Sequence, residues 1–596
     1  MIKERLVALR AEMKKRNIDI YVVPTADFHE SEYVGEYFKA RKYITGFTGS
    51  AGTAVITMEE AGLWTDGRYF VQAERELQDS SVMLYRMGEE GVPEVDAFIE
   101  AKLPKGGILG FDGRVVNARW GAKLAEIAAA KSAKLFVKED LMDAIWENRP
   151  ALSKEPVFLL EEKYSGKSIK DKIADVRAEM EKEGADIHIL TSLYDIAWLL
   201  NVRGNDIAYV PVVLSYLALT EDECIWFVQE DALTNEVKSY LSDNRIITKE
   251  YEAIYDYVAE LSGDTAVWMS LSETNYRICS SLDKEIRVID KANPTFVMKA
   301  MKNPVEVDNT RAAHVKDGVA FTKFMYWLKN NIGKIPMTEL SASDYLEQRR
   351  REQENFIELS FGTICAYGEN AAMMHYSASE ESNAELKPEG FLLVDSGGHY
   401  YEGTTDITRT MALGPITDEM KLHFTTVCRS NLNLANAKFL HGCRGLNLDI
   451  LARGPLWDLG IDYKCGTGHG VGYVLNVHEG PNGFRWRVVA ERNDSGVLEE
   501  GMITTDEPGV YLEGKYGIRI ENELVCKKAE KNEYGQFMEF ENITFAPIDL
   551  DAIDPEEMTK REKKMLNDYH KMVYETLSPY MTDEENEWLK HYTRAI

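Results

Sequence analysis

The sequence predicts an α/β (α+β) protein, with two related α/β domains followed by a third, larger domain. Three observations carry that expectation. A chain of 596 residues is too long for one core, and a prior of roughly 150 residues per domain gives three or four units. A helix-then-strand pattern occurs twice in the front half. A long helical pattern opens at Pro304, and from Leu359 onward short strands, Gly-rich turns and helices alternate.

The repeat sets the first two domains. Leu9-Arg10-Ala11-Glu12-Met13 returns 167 residues later as Val176-Arg177-Ala178-Glu179-Met180. Each copy lies on a charged, helix-patterned segment, and each is followed by an apolar strand, residues 20–23 and 187–190. The shared order reads as a duplicated domain. Pro150 and Pro156, among polar residues, interrupt the pattern between the copies. The expected domains are 1–153, 154–303 and 304–596. The last opens with a helix over 304–332 and ends in a charged helical extension over 555–596.

Composition narrows the function classes. The 44% hydrophobic and 10% aromatic content is that of folded, globular material. Lys and Arg total 69 against 99 Asp and Glu, a net charge of −30. Phosphate binding needs clustered cations, so the balance argues against nucleic acid and against an anionic membrane surface. The acidity is dispersed, as on a self-repelling, soluble surface. Seven cysteines, the first at Cys224, include no CxxC pair, which fits a reducing compartment and no disulfide framework. Met1-Ile2-Lys3-Glu4-Arg5 runs into a charged amphipathic helix without an apolar signal core. No run approaches the roughly 18 apolar residues of a membrane span. A cytoplasmic protein is expected.

In the first domain, Gly46, Gly49 and Gly52 punctuate a loop that leads into a strand over 54–57. The loop lacks the Lys of a phosphate loop and the spacing of a dinucleotide fingerprint, and reads as a tight turn. Trp64-Thr65-Asp66-Gly67-Arg68-Tyr69 follows. Asp66 and Arg68 suit a turn closed by a surface ion pair; the alternative is that Arg68 reaches a neighbouring active site.

The third domain carries the chemistry. Residues 391–395 form an apolar strand ending in Asp395, and Thr405-Asp406-Ile407-Thr408-Arg409-Thr410 alternates as a second strand. Two facing buried carboxylates repel and take up a proton unless cations neutralise them. Gly466-Thr467-Gly468-His469-Gly470-Val471-Gly472 surrounds one histidine with four glycines, which allow close backbone approach. His478 follows nine residues later in Asn476-Val477-His478-Glu479-Gly480-Pro481. Glu507 precedes a Pro-Gly turn. Gly517 to Glu523 alternates, so Arg519, Glu521 and Glu523 are expected on one face of a single strand, with Arg519 pinning Glu521. Taken singly, each motif has an ordinary reading as a turn, a surface acid or a core histidine. Together, Asp395, Asp406, His469, Glu507 and Glu521 are the hard, mostly oxygen donor set that two divalent ions need. A structural zinc would call for closed Cys/His ligation.

These five residues, in this order, resemble the ligands of the metallopeptidase family with the pita-bread fold, which includes methionine aminopeptidase, prolidase and aminopeptidase P. The three-domain cytosolic aminopeptidase P (Xaa-Pro aminopeptidase) form is the nearest likeness. It is carried by residues 29–70, by Trp198-Leu199-Leu200-Asn201-Val202-Arg203-Gly204 and by the whole third domain. The resemblance implies two creatinase-N-like α/β domains followed by a pita-bread metallopeptidase domain. It implies that Asp395 serves one metal, that His469 and Glu507 serve the other, and that Asp406 and Glu521 bridge them. His375, in Met373-Met374-His375-Tyr376, resembles the histidine that binds substrate near the scissile bond, and His478 the one that steadies the oxyanion. Tyr511 and Arg519 match polar positions around the site. Many relatives carry a further histidine where this chain has Cys465, and a neutral thiol is a poor substitute for an imidazole donor.

The function so implied is release of the N-terminal residue from peptides with proline in second position. A hydroxide shared by two cations would attack, with Glu507 as proton shuttle. The oxygen-rich donors favour manganese, with zinc and cobalt as alternatives. Peptides with Pro in second position are the expected partners, and a homodimer is the expected assembly. Prolidase, which cleaves Xaa-Pro dipeptides, shares the ligand set and is the rival reading. A metal-free binding protein of the same fold would show broken ligands and a concentrated acidic tail, and this chain shows neither.

Overall fold

The computed structural model describes residues 1–489 and 494–596. The chain forms two compact units. One comprises Met1–Leu159 with Ser168–Thr295, the other Leu160–Lys167 with Phe296–Ile596.

The first unit contains the repeat. Helix Ile2–Lys15 buries Leu6, Leu9 and Met13, and helix Ile169–Glu183 buries Ile169, Ile173, Val176 and Met180. The apolar spacing of three and four places these residues on one face. Leu9 and Met13 correspond to Val176 and Met180, so the echoed pentapeptide is an echoed core contact. The second helix starts on Ser168, whose side chain accepts from the Asp171 amide, and ends on Gly184 at φ 63°.

Each helix leads into the centre of a six-stranded sheet. The first sheet is ordered Met83–Arg86, Ala61–Thr65, Thr53–Thr57, Ile20–Pro24, Ile108–Phe111, Lys134–Phe136. The second is ordered Ile246–Lys249, Cys224–Val228, Ser215–Thr220, Ile187–Leu190, Ala266–Met269, Arg287–Asp290. Orientations match as well as order. Both central strands pair antiparallel to the strand on one side and parallel to the strand on the other.

The two sheets are joined into one unit by buried polar contacts. His29 Nδ1 lies 2.9 Å from the Thr191 carbonyl and Nε2 lies 2.6 Å from the Tyr251 hydroxyl. Asn275 Nδ2 donates to the Phe28 carbonyl at 3.0 Å. Burial lowers the His29 pKa, so the ring is neutral in this contact.

The second unit opens with helix Pro304–Asn331. Asn303 caps it through a capping box with Glu306, and Pro304 takes the first turn. Phe321, Phe324, Met325 and Leu328 pack against Leu392, Val394, Ile407 and Met411. These last four belong to an antiparallel sheet of Ile364–Tyr367, Phe391–Ser396 and Ile407–Ala412. A second, six-stranded sheet contains Gly468–Gly470, Glu479–Phe484, Ile503–Asp506 and Asn522–Asn532. Helices Lys560–Leu577 and Asp583–Tyr592 form the tail, each begun by a Thr/Glu capping box.

One expectation needs correction. Residues 517–523 are not one strand. Tyr516–Arg519 pairs with Gly509–Leu512 in a two-stranded ribbon, while Asn522–Asn532 joins the six-stranded sheet. Ile520 and Glu521 lie in the break between them. Glu521 donates its amide to Thr408 O at 3.1 Å. The chain leaves one sheet for another at this point, and the acid sits at the crossing.

Candidate metal centre

Asp395 is the penultimate residue of the buried strand Phe391–Ser396, with Thr408 as its cross-strand partner. Asp406 lies one residue before the strand Ile407–Ala412 begins. His469 is the central residue of Gly468–Gly470. That strand lies so close to Ile503–Asp506 that a Cβ on Gly468 would sit 1.8 Å from Thr505 O, so glycine is required there. Thr505 Oγ1 accepts from the His469 amide at 3.0 Å and donates to Glu507 Oε1 at 3.1 Å. One threonine thus orders two of the expected ligands.

Three of the five come together directly, with Glu507 beside His469 and Asp395 tied in through Arg519. Asp406, His469 and Glu521 each offer a ligand atom, and these atoms lie within 4.8 Å of one another. His469 Nε2 is 3.5 Å from Asp406 Oδ2 and 3.4 Å from Glu507 Oε1. Arg519 Nη2 donates to Asp395 Oδ2 at 2.5 Å and Nη1 to the Tyr511 hydroxyl at 2.7 Å. The expected link from Arg519 to Glu521 is indirect. Arg519 Nε donates to Thr408 Oγ1, which donates to Glu521 Oε2 at 2.7 Å. The strand break accounts for the difference: Arg519 and Glu521 do not share a strand face.

The electrostatics of the cluster call for cations. Burial, and then the neighbouring carboxylates, push both Asp406 and Glu521 well above the usual carboxylate range. Asp395 Oδ1 and Asp406 Oδ1 are buried without a hydrogen-bond partner among the described residues. Acids held together in this way are costly unless a positive charge compensates them. Arg519 is one such charge, already committed to Asp395 and Tyr511. Four carboxylates and one imidazole with unused lone pairs fit two hard divalent ions.

The remaining expected residues fall in different places. The His478 ring stands edge-on to His469 with centroids 4.3 Å apart. His375 is exposed in the loop after the short helix Gly368–Ala372. That loop is anchored twice. Gly517 comes so close to it that a Cβ would meet Ala371 O at 1.8 Å. Buried Glu339 accepts from the Tyr367 and Ala384 amides and the Tyr376 hydroxyl. Burial and Glu507 push the Cys465 thiol up to about 12, so it is protonated at neutral pH and no nucleophile. Arg68 belongs to the first unit and closes a fork onto Asp66, with both contacts at 2.8 Å. This is the ion-paired turn.

Of two supporting residues, Glu523 and His314, the second escaped the sequence. Glu523 Oε1 accepts the Asp406 amide at 2.6 Å and lies 3.1 Å from His314 Nε2, an ion pair poorly aligned for a hydrogen bond. Burial opposes the His314 charge, but Glu523 outweighs it and raises the pKa. Glu523 alternates with Glu521 in the sequence, which is a visible signal; His314, on a long helix, offers none.

Comparison with known proteins gives the family. Residues 308–528 match metallopeptidase family M24, and residues 536–596 match the C-terminal region of peptidase M24. Residues 5–143 and 148–306 each match a creatinase/prolidase N-terminal domain. Aminopeptidase P1 of Arabidopsis thaliana is 38% identical over 652 residues, covering 100% of this chain and 99% of its own. The chain belongs to the aminopeptidase P family. A probable Xaa-Pro aminopeptidase P of Pyrenophora teres is 40% identical, covering 99% of this chain and 92% of its own. The X-prolyl aminopeptidase of Caenorhabditis elegans, a cytosolic enzyme with a dinuclear active site, superposes with a TM-score of 0.94 at 32% identity over 100% of both chains. The Xaa-Pro dipeptidase of Bacillus anthracis, at 23% identity and a TM-score of 0.52, covers 64% of this chain and shares the fold. The aminopeptidase P likeness thus spans the duplicated front half as well as the metallopeptidase domain.

Proposed function

We propose that this aminopeptidase P family member is a dinuclear metallopeptidase that releases the first residue of peptides whose second residue is proline. The convergence of Asp406, His469 and Glu521, with Glu507 and Asp395 beside them, carries the reading. These five residues would hold the cations. Bound there, two divalent ions supply Lewis acidity for the scissile carbonyl and make a water acidic near neutral pH. Glu507, held by Thr505, takes and returns the proton at its carboxylate. His478 donates to the oxygen that gains charge, and His375 donates to the substrate beside the scissile bond. Arg519 holds Asp395 and is itself tied to the Tyr511 hydroxyl, and both stand at the polar rim expected to meet the substrate.

Manganese is the metal we propose, on the strength of the oxygen-rich donors; zinc and cobalt are the other arms of the test. A cytosolic location is proposed because the Caenorhabditis elegans relative is cytosolic. Among the described residues no helix is long and apolar enough to cross a membrane. A homodimer is supported by exposed Ile450, Trp457, Leu459, Trp486 and Val488 on the second unit, where the rings of Trp457 and Trp486 meet at 6.3 Å. Sedimentation equilibrium tests it, and a monomer at all concentrations rules it out.

The deciding assay compares an Xaa-Pro-Yaa tripeptide with the Xaa-Pro dipeptide, with chelator and after add-back of each metal. Cleavage of the tripeptide, abolished by chelator and restored best by manganese, is expected. Preference for the dipeptide would turn the assignment to prolidase.

A further inference from the structure

The loop between the two site histidines is held by a lysine outside it. Residues 471–478 connect the strand Gly468–Gly470, which carries His469, to His478. Val474, buried in this loop, has φ 49°. A β-branched residue in the left-handed region is strained and persists only where its surroundings enforce it. The Tyr473 hydroxyl donates to Tyr164 O at 2.8 Å, and Asn476 Nδ2 donates to His478 O at 2.9 Å. The strongest restraint is Lys302. Its Nζ donates to Val471 O at 2.6 Å and to Glu479 Oε1 at 2.5 Å. Val471 lies two residues after His469 and Glu479 one residue after His478, so a single ammonium grips both ends of the loop.

This grip is built into the interior. The Lys302 side chain is 1% exposed and that of Glu479 5%. Lys299 Nζ stands 3.6 Å from the other Glu479 oxygen. The Lys302 amide is fixed by Gly501 O at 3.2 Å, and Gly501, at φ 86°, leaves no room for a Cβ against Lys302 O. An ammonium is a compact donor with three hydrogens, and two of them here tie one carbonyl to one carboxylate.

We propose that Lys302 is a positioning residue: with Glu479 it sets His478 against His469 and acts on the transition state through His478. This rests on the aminopeptidase reading above. The partners of the Lys302 ammonium are Val471 O and Glu479, neither of them among the five expected ligands. Its effect is the placement of a donor whose value depends on where the oxyanion forms.

The test is a double-mutant cycle on the manganese-loaded full chain with an Xaa-Pro-Yaa tripeptide. Lys302→Met keeps the apolar stem and removes the charge. We expect kcat and kcat/KM to fall together by on the order of ten- to a hundredfold, as for other outer-shell partners, with KM within about twofold. Two metal equivalents per chain are retained by elemental analysis. His478→Ala falls further, and the double variant Lys302→Met/His478→Ala is no worse than His478→Ala within about threefold, because the lysine then has nothing to position. Losses that multiply in the double variant overturn the proposal, as does a raised KM at unchanged kcat or loss of a metal equivalent. If Lys302→Met does not fold, Lys299→Met/Lys302→Met/Glu479→Met removes all three buried charges and keeps the site measurable. Wild-type kcat in that variant overturns the proposal equally. Wild-type protein that fails to cleave the tripeptide at all refutes the parent reading instead.

Discussion

Asp406 accepts no hydrogen bond at Oδ1 among the described residues and shares its surroundings with Glu521, Glu507 and Asp395. A side chain placed to ligate metal and costly without it should give an unusual pair of effects on substitution. Asp406→Asn keeps the shape and removes the charge. Turnover of the tripeptide is expected to fall to background, while the melting temperature of the chelated protein rises by on the order of a few degrees over chelated wild type. A lower melting temperature would mean that the carboxylates do not repel in the empty centre. The five expected ligands stood out in the sequence because metal chemistry restricts residue type, and each stands beside glycine, proline or a strand end. Lys302 and Glu479 were not. They are 177 residues apart, and one buried ion pair leaves no period and no spacing to read.

Among the elements, the helix Lys560–Leu577 shows how much of a docking contact the sequence withholds. Its buried face of Met565, Leu566, Tyr569, Val573 and Leu577 follows from helical spacing. His570 breaks that pattern. Its Nε2 accepts from the Ile548 amide at 3.1 Å, and burial together with Arg409 and Arg594 lowers its pKa to about 3. The unfolded value is about 6.5. A folded pKa below the unfolded one means the unfolded state takes up the proton first as pH falls. The contribution of this histidine is therefore complete above about pH 6.5 and is lost as pH drops toward 3. His570→Gln keeps an acceptor for Ile548 and cannot be protonated. Its stability should depend less steeply on pH between 6.5 and 4, by up to about 1.4 kcal/mol per pH unit, measured by denaturant melts at several pH values. Equal slopes would place His570 elsewhere. The break at Ile520 and Glu521 was hidden for a different reason. Strict alternation from Gly517 to Glu523 is what one strand would show, and a change of sheet that preserves alternation cannot be told from it.

For the whole molecule, the centre binds only when strands and loops far apart in sequence have assembled, so metal binding is linked to folding. Chelation is expected to lower the melting temperature, and manganese at a hundred times its dissociation constant to restore about 2.7 kcal/mol per site. A melting curve indifferent to chelator would remove the metals from the folding balance. The duplicated front half was legible because the echo falls on core positions: Leu9 and Met13 are buried, as are Val176 and Met180. The merger of both copies into one unit was not, since it depends on His29, Tyr251 and Asn275, polar residues with no pattern of their own.

That repeated sheet has a kinetic consequence. Ile20–Pro24 and Ile187–Leu190 each present edges of the polarity that the other's neighbours would accept. A chain released unfolded at full length therefore chooses between correct and crossed strand exchange, a known trap of tandem architectures. Synthesis from the ribosome avoids the choice. The strands of the first sheet end at Phe136 and the core beneath them at Met142, so it can close before Ile187 exists, and the order of translation sorts two interchangeable frameworks that equilibrium pairing alone would confuse.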